Sequence, residues 1–304
     1  MDMLDTYSLK GICMLMIMFH HVLKLFPGCP ESIMRWGYLG VAVFFLVSGW
    51  GMYSSMAKKE DVTLGYFGRQ MKKLLIPYLI AFPLSESLYY LHHADFISFS
   101  DVICDLCTLS FSPVVDLWFF KVIVATYVIS ILTFILVMNR LARLAIVSMF
   151  GAAYYIVAWK ILKLPLYWYG TSLCIVAGMW MAAYKNQLQK IYDKKIIIFV
   201  CAIVAYYITL HYNLLPIPSR TVHSFAFAIA MVAAVSIFNF ANPIMDYIGR
   251  NSLLFYLIHV PLCELLAPPP FEFLRLKWIA LGIVLILTAI LTVSYNQIKI
   301  KLQK

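Results

Sequence analysis

Charge is what this sequence has least of. Only 12% of its residues are Asp, Glu, Lys or Arg, while 63% are hydrophobic. That is about half the charged fraction of a soluble domain, so an ordinary water-exposed surface is excluded. Acidic residues are scarcer still, 14 against 24 Lys and Arg, which leaves a formal net charge of +10. Serine- and glycine-rich linkers, low-complexity tracts, heptad arrays and any obvious internal repeat are absent, so neither tethered domains nor a coiled coil is expected. Segments of about ten residues alternating in polarity, the mark of a transmembrane barrel, are missing as well. The seven cysteines lie mostly within apolar stretches and suggest no disulfide scaffold.

What is present is a succession of apolar runs of about twenty residues, each long enough to cross roughly 30 Å of hydrocarbon as a helix. Ten are expected, at 9–26, 38–55, 75–93, 115–138, 142–162, 167–184, 195–212, 222–241, 250–267 and 276–298. The expected fold class is all-α, a polytopic membrane protein of about ten transmembrane helices in one bundle, with residues 1–304 forming a single domain. The first run contains His20, His21 and Lys24 and lacks a small-residue cleavage site before Pro27, so it is expected to be retained rather than removed as a signal. Residues 94 to 115 are too long for a turn and too mixed to span, and are expected to form an amphipathic or partly re-entrant segment on the outer side. With the N-terminus inside, sixteen of the 24 Lys and Arg fall at inner ends and loops, which predicts both termini in the cytoplasm. Anionic lipid headgroups then account for the net charge, and no nucleic-acid partner is expected.

Ionisable side chains inside a bilayer each cost several kcal/mol, by about 2.5–3.5 on insertion scales, so those within the runs are candidates for function. They are His20, His21 and Lys24 in the first run, Glu86 in the third, Asp116 and Lys121 opening the fourth, and His259 and Glu264 in the ninth. Lys10 and His21 share one helix face, because eleven residues at about 100° each return to within about 20° of the starting direction. His20 points elsewhere. A cation at one mouth and an imidazole about 16 Å deeper suit an elongated anionic ligand whose reactive end reaches the imidazole. A positive-inside lysine and a hydrogen-bonded bundle histidine account for the same pattern. Gly37, Gly40, Ser48, Gly51 and Ser55 form small-residue seams in the second run, where close helix approach is the default reading and Ser48 is an interhelical hydrogen-bonding group before it is a nucleophile. Arg69, Lys72 and Lys73 recur at i, i+3 and i+4 and suit either phosphate binding or anchoring to lipid headgroups. Ser252, Tyr256 and His259 form a polar stripe on one face of the ninth run. Cys104 and Cys107, with His92 and His93 upstream, are a conceivable zinc or disulfide site. Packing is the better reading of that CxxC, and no metal is assigned.

LKGICMLMIMFHHVL, GVAVFFLVSGW, RQMKKLLIPYL, DLWFF and NSLLFYLIH, in that order along the chain, resemble the motifs of the acyltransferase 3 family of bacterial membrane acyltransferases. In the first motif Lys10 and His21 take the family's basic and histidine positions. The sequence departs from the family in carrying Lys10 where arginine is more frequent, and Gln70 and Lys73 where the third span shows an arginine pair, with Arg69 one place away. Residues 140 to 240 carry no match.

The resemblance implies a cytoplasmic acyl-CoA donor, most often acetyl-CoA, with no permanently bound cofactor, and as acceptor a hydroxyl of a carbohydrate or glycolipid of the cell envelope. It implies His21 as general base or as carrier of the acyl group, and Lys10, Arg69, Lys72, Lys73 and Ser48 around the donor. Glu86, Asp116, Tyr256 and His259 are further candidates for orienting the imidazole or polarising the thioester. The implied location is the bacterial cytoplasmic membrane. Acidic residues in the outer half, among them Glu31, Glu86, Asp101, Asp105 and Asp116, are expected to line the path of a neutral sugar. The alternative reading is a secondary transporter or flippase, for which many spans and buried charges are equally natural. A non-catalytic scaffold is a third, and it would not require the Lys10 and His21 alignment.

Overall fold

The computed structural model describes residues 5–26, 28–59, 62–93, 98–111, 117–212, 218–238, 240, 242–265 and 277–302. Among the described residues there are helices and no β-strand. In chain order these are α1 (Asp5–Lys24), α2 (Glu31–Met34), α3 (Trp36–Ala57), α4 (Leu64–His93), α5 (Phe99–Thr108), α6 (Trp118–Leu136) and α7 (Arg140–Ile156), the last running into a π-helical turn, Val157–Ile161. They are followed by α8 (Leu166–Tyr169), α9 (Leu173–Ala183), α10 (Lys185–Tyr192), α11 (Lys195–His211), α12 (Ser219–Phe238), α13 (Pro243–Arg250), α14 (Ser252–Leu265) and α15 (Lys277–Leu302).

Burial separates a centre from a rim. Buried residues make up 78% of the apolar stretch of Glu31–Ala57 and 50% of that of Thr6–Lys24, against 22% for Arg140–Ile161 and 28% for Ile279–Gln297. An all-apolar helix can face either protein or lipid in a bilayer, so burial and not hydropathy marks α3 as the axis of the bundle, while α7 and α15 turn most of their surface outward.

Small residues set how closely the central helices approach. A Cβ on Gly49 of α3 would run into the Ile175 carbonyl of α9, and one on Gly178 of α9 into the Leu46 carbonyl of α3. The crossing of α1 and α13 is built the same way, with Gly11 against the Met245 carbonyl and Gly249 against the Tyr7 carbonyl. Lipid tails are as apolar as leucine, so such backbone-to-backbone packing holds helices together in a bilayer better than hydrophobicity does. A Ser8 to Asp246 hydrogen bond and the Arg250 guanidinium, 4.3 Å from the Tyr7 ring centre, fasten the second crossing. Of the seam expected in the second run, Gly37 and Gly40 face α1, whereas a Cβ on Gly51 would meet nothing.

Six described helices are long and apolar enough to cross a membrane, or seven if the bent pair Lys185–Ile191 and Lys195–His211 is one span. The expectation of ten complete crossings is not confirmed. The remaining expected runs fall on α4, on α8 with α9, and on α14. At 11 and 14 residues, α9 and α14 are shorter than a perpendicular crossing needs. Pro165 precedes α8, and a turn at Gly170–Ser172 separates it from α9, with the Ser172 hydroxyl bonded 2.8 Å to the Tyr169 carbonyl. α4 carries Arg69, Lys72 and Lys73 near its start and Pro77 and Pro83 inside.

Side-chain contacts sort the helix ends into two groups. One group joins the start of α1 to α13, and the end of α3 to the start of α4 through Ser55 Oγ and Tyr66 OH at 2.9 Å. It also joins the start of α7 to the end of α9 through Arg140, and the start of α11 to the end of α12, where Lys195 donates to the Ser236 carbonyl at 2.8 Å. The other group joins the end of α1 to the start of α3, and the end of α7 to the start of α12 through Tyr155 OH and Thr221 Oγ1 at 2.8 Å. Within the 94–115 region, α5 is amphipathic and opens on a capping box formed by Ser98 and Asp101. Its far end is pinned to α4 by Tyr78 OH, which donates to the carbonyls of Asp105 and Ser110 at 3.1 and 2.9 Å.

Candidate functional site

His21 lies in the last turn of α1, three residues from its end. It is half-buried, and its ring centre is 5.1 Å from that of His259 on α14, at an interplanar angle of 71°. His259 is wholly buried. Its Nδ1 lies 2.8 Å from the Tyr256 carbonyl and 3.0 Å from the Phe255 carbonyl of its own helix. Carbonyl oxygens only accept, so Nδ1 carries a proton and donates it. In the neutral ring Nε2 is then an acceptor, and it is enclosed without a hydrogen-bond partner among the described residues. An imidazolium there would bury an unpaired N–H, at a cost of about 1–3 kcal/mol or more. The arrangement can take an N–H from His21 and leave the other nitrogen of His21 free to accept a proton.

His20 is turned to another neighbour. Its ring lies over Gly37 of α3, where a Cβ would collide with it. The adjacent histidines are 5.3 Å apart, ring to ring, and diverge in direction as the helical phase requires.

Lys10 is half-buried in the second turn of α1, with Nζ 5.7 Å from the centre of the Phe44 ring. From there a series of rings crosses the bundle. Phe44 contacts Phe119 of α6 at 5.4 Å, Phe119 contacts Tyr256 at 4.9 Å, and Tyr256 contacts His259 at 5.7 Å. Lys10 and His21 thus stand at the two ends of one aromatic wall contributed by α3, α6 and α14. Ser48 is buried on α3 one helical turn beyond Phe44, and Ser252 and Tyr256 are buried with His259 on α14.

The other expected residues are more dispersed. Arg69, Lys72 and Lys73 are exposed near the start of α4, at the Lys10 end of the bundle. Glu86 is half-buried on α4, two turns beyond Tyr78. Asp116 lies outside the described residues, as do the side chains of His92, His93 and Glu264. Cys104 and Cys107 are exposed free thiols on α5. Glu31 is exposed and pairs with Arg35 at 3.3 Å.

Sequence reasoning passed over a second polar cluster at the His21 end. Tyr38 OH lies 2.9 Å from His223 Nε2, and the Arg220 guanidinium is 4.3 Å from the centre of the Tyr38 ring. Its signal was the Arg220 and His223 pair at i, i+3 opening the eighth run, which contains a histidine as surprising in hydrocarbon as His259.

The sequence model of the acyltransferase 3 family, described as an acyltransferase domain, matches residues 8–296. The chain belongs to the acyltransferase 3 family. No curated protein and no solved structure matches the chain. Membership makes it a membrane acyltransferase in general terms, and the matched region takes in both ends of the aromatic wall and the residues from 140 to 240.

Proposed function

We propose that this acyltransferase moves an acyl group, acetyl in the simplest case, from cytoplasmic acyl-CoA to a hydroxyl of a carbohydrate or glycolipid of the bacterial cell envelope. The observation that carries the reading is the buried His259 Nε2 acceptor beside half-buried His21. An imidazole whose tautomer is set by such a neighbour is a suitable general base at neutral pH. In this reading the acceptor oxygen attacks the thioester carbon while His21 removes its proton. The carbon–sulfur bond then breaks, the ester is released, and the proton passes from His21 to the CoA thiolate. Lys10, with Arg69, Lys72 and Lys73 at the same end of the bundle, meets the donor's phosphates, and Ser48 lies along the donor's route. Both termini and this cationic end face the cytoplasm, by the positive-inside bias.

The test is transfer of radiolabelled acetyl groups to envelope material by membranes carrying the chain. His21→Ala is expected to lower transfer by about 100-fold or more, in the range that loss of a general base brings, with insertion unchanged. His20→Ala is expected to keep substantial activity. An active His21 variant beside a dead His20 variant would overturn the assignment.

A further inference from the structure

Among the described residues, the end of the bundle near His21 gathers cations with little to balance them. Lys24 closes α1, Arg35 opens α3, and Arg220 stands in the first turn of α12, which has no acidic residue there. A helix N-terminus already carries partial positive charge, so Arg220 is unfavourably placed in the absence of an anion. Its stacking on Tyr38 occupies one face of the guanidinium and leaves the N–H edge unused. Among the described residues Arg220 has no carboxylate or hydrogen-bond partner. Arg35 has Glu31, a carboxylate 86% exposed and 3.3 Å away, and such surface pairs hold weakly.

These cations share one locality. Arg35 and Arg220 both act electrostatically on Tyr38 and on His223. Lys24 and Arg220 both act on His20. His223 is 5% exposed, so the hydrogen bond to Tyr38 fixes the aromatic floor beneath Arg220. His20 links this floor to the reacting end, since its ring covers Gly37, the residue before Tyr38, and lies 5.3 Å from His21.

We propose that the hydroxyl acceptor carries an anionic oxygen group, a phosphate or a carboxylate, which Arg35 and Arg220 hold beside Tyr38 while its hydroxyl reaches His21. Two guanidinium forks suit the bidentate geometry of either anion and offer an uncharged sugar far less. The proposal rests on the acyl-transfer reading for the identity of the bound molecule, and the site itself can be tested without an acyl donor.

The experiment measures equilibrium binding to the full chain in nanodiscs of zwitterionic phosphatidylcholine, with methyl glucoside, methyl glucuronide and a polyprenyl phosphate as probes. At least one anionic probe is expected to bind tenfold or more tighter than methyl glucoside. The preference should be lost in Arg220→Gln and in the Arg35→Gln, Arg220→Gln double variant, and kept in part by Arg220→Lys, with melting temperatures checked for each. Tight glucuronide binding assigns the charge to the sugar, and preference for the polyprenyl phosphate alone assigns it to a lipid carrier. Equal binding of charged and neutral probes, or a preference that survives in the double variant, would overturn the proposal. So would phosphatidylglycerol added to the nanodisc competing as well as the probes do, which would give the arginines to the bilayer. Acetyl-CoA turnover is scored separately. Its absence beside intact anion binding counts against the transferase reading and leaves the anion site standing.

Discussion

The two ends of α1 are both cationic, yet they are built differently. At the Lys10 end the charges are spread over exposed positions of α4, and α1 is clamped to α13 backbone against backbone, with a glycine on each side. At the His21 end the charges come from α1, α3 and α12, and α1 meets its neighbours through imidazole rings, one over Gly37 and one against His259. The first end is a close backbone contact with exposed charges on its rim. The second depends on side chains whose rotamers position one another, which is the arrangement a reacting centre needs.

The largest effect should come from breaking the clamp. Gly249→Ala puts a methyl into the Tyr7 carbonyl, where neither backbone can yield cheaply. A cost of about 1–3 kcal/mol or more is expected from such overpacking, seen as loss of folded protein on size-exclusion chromatography. Gly37→Ala, whose nearest contacts are atoms of the His20 ring rather than a carbonyl, should stay folded, and equal loss in both variants would erase the contrast between the ends.

At the other end, His259→Ala should lower kcat about 10–100-fold, less than the roughly 100–10,000-fold that a proton-transferring group itself contributes, because His259 positions the base and is not the base. It should alter the pH profile of kcat and leave the KM for acyl-CoA nearly unchanged. His259→Gln, which restores an acceptor, should recover part of the rate. Unaltered pH dependence with a raised KM for acyl-CoA would make His259 a packing residue.

Neutralising Arg69 and Lys73 together should raise the KM for acyl-CoA about thirtyfold with a small change in kcat, because two charge-assisted phosphate contacts of roughly 1 kcal/mol each are removed. Unchanged donor affinity with reduced insertion would instead mark them as a lipid anchor.

The smallest effect concerns α5. Partial burial, and then the neighbouring Asp101, push the Asp105 carboxyl above its usual value, with Lys121 opposing. A raised carboxyl favours the folded state as pH falls through its folded value and costs stability above it. Asp105→Asn should therefore raise the melting temperature slightly at neutral pH, by less than about 0.5 kcal/mol in stability, and the gain should vanish in acid. A gain that persists in acid would show that the carboxylate charge is not its source.

Much of this protein was determined by sequence alone, and each such part has a local cause. Long apolar runs dictate membrane helices because an unbonded backbone is intolerable in hydrocarbon, and the eleven-residue interval puts Lys10 and His21 on one stripe because an α-helix has a fixed pitch. Motifs at both ends of the chain pointed to the family that matches residues 8–296. The tertiary structure alone decided which helices meet. It set His259 against His21 across 238 residues of sequence, chose Gly49 rather than Gly51 for the α9 crossing, and cut one expected span into α8 and α9. It also brought Tyr38 and His223 together across 185 residues. In lipid, apolar faces are nearly interchangeable as partners, so helix pairing is chosen by small residues fitting against particular carbonyls and by polar side chains finding one another, neither of which a single helix's pattern reveals.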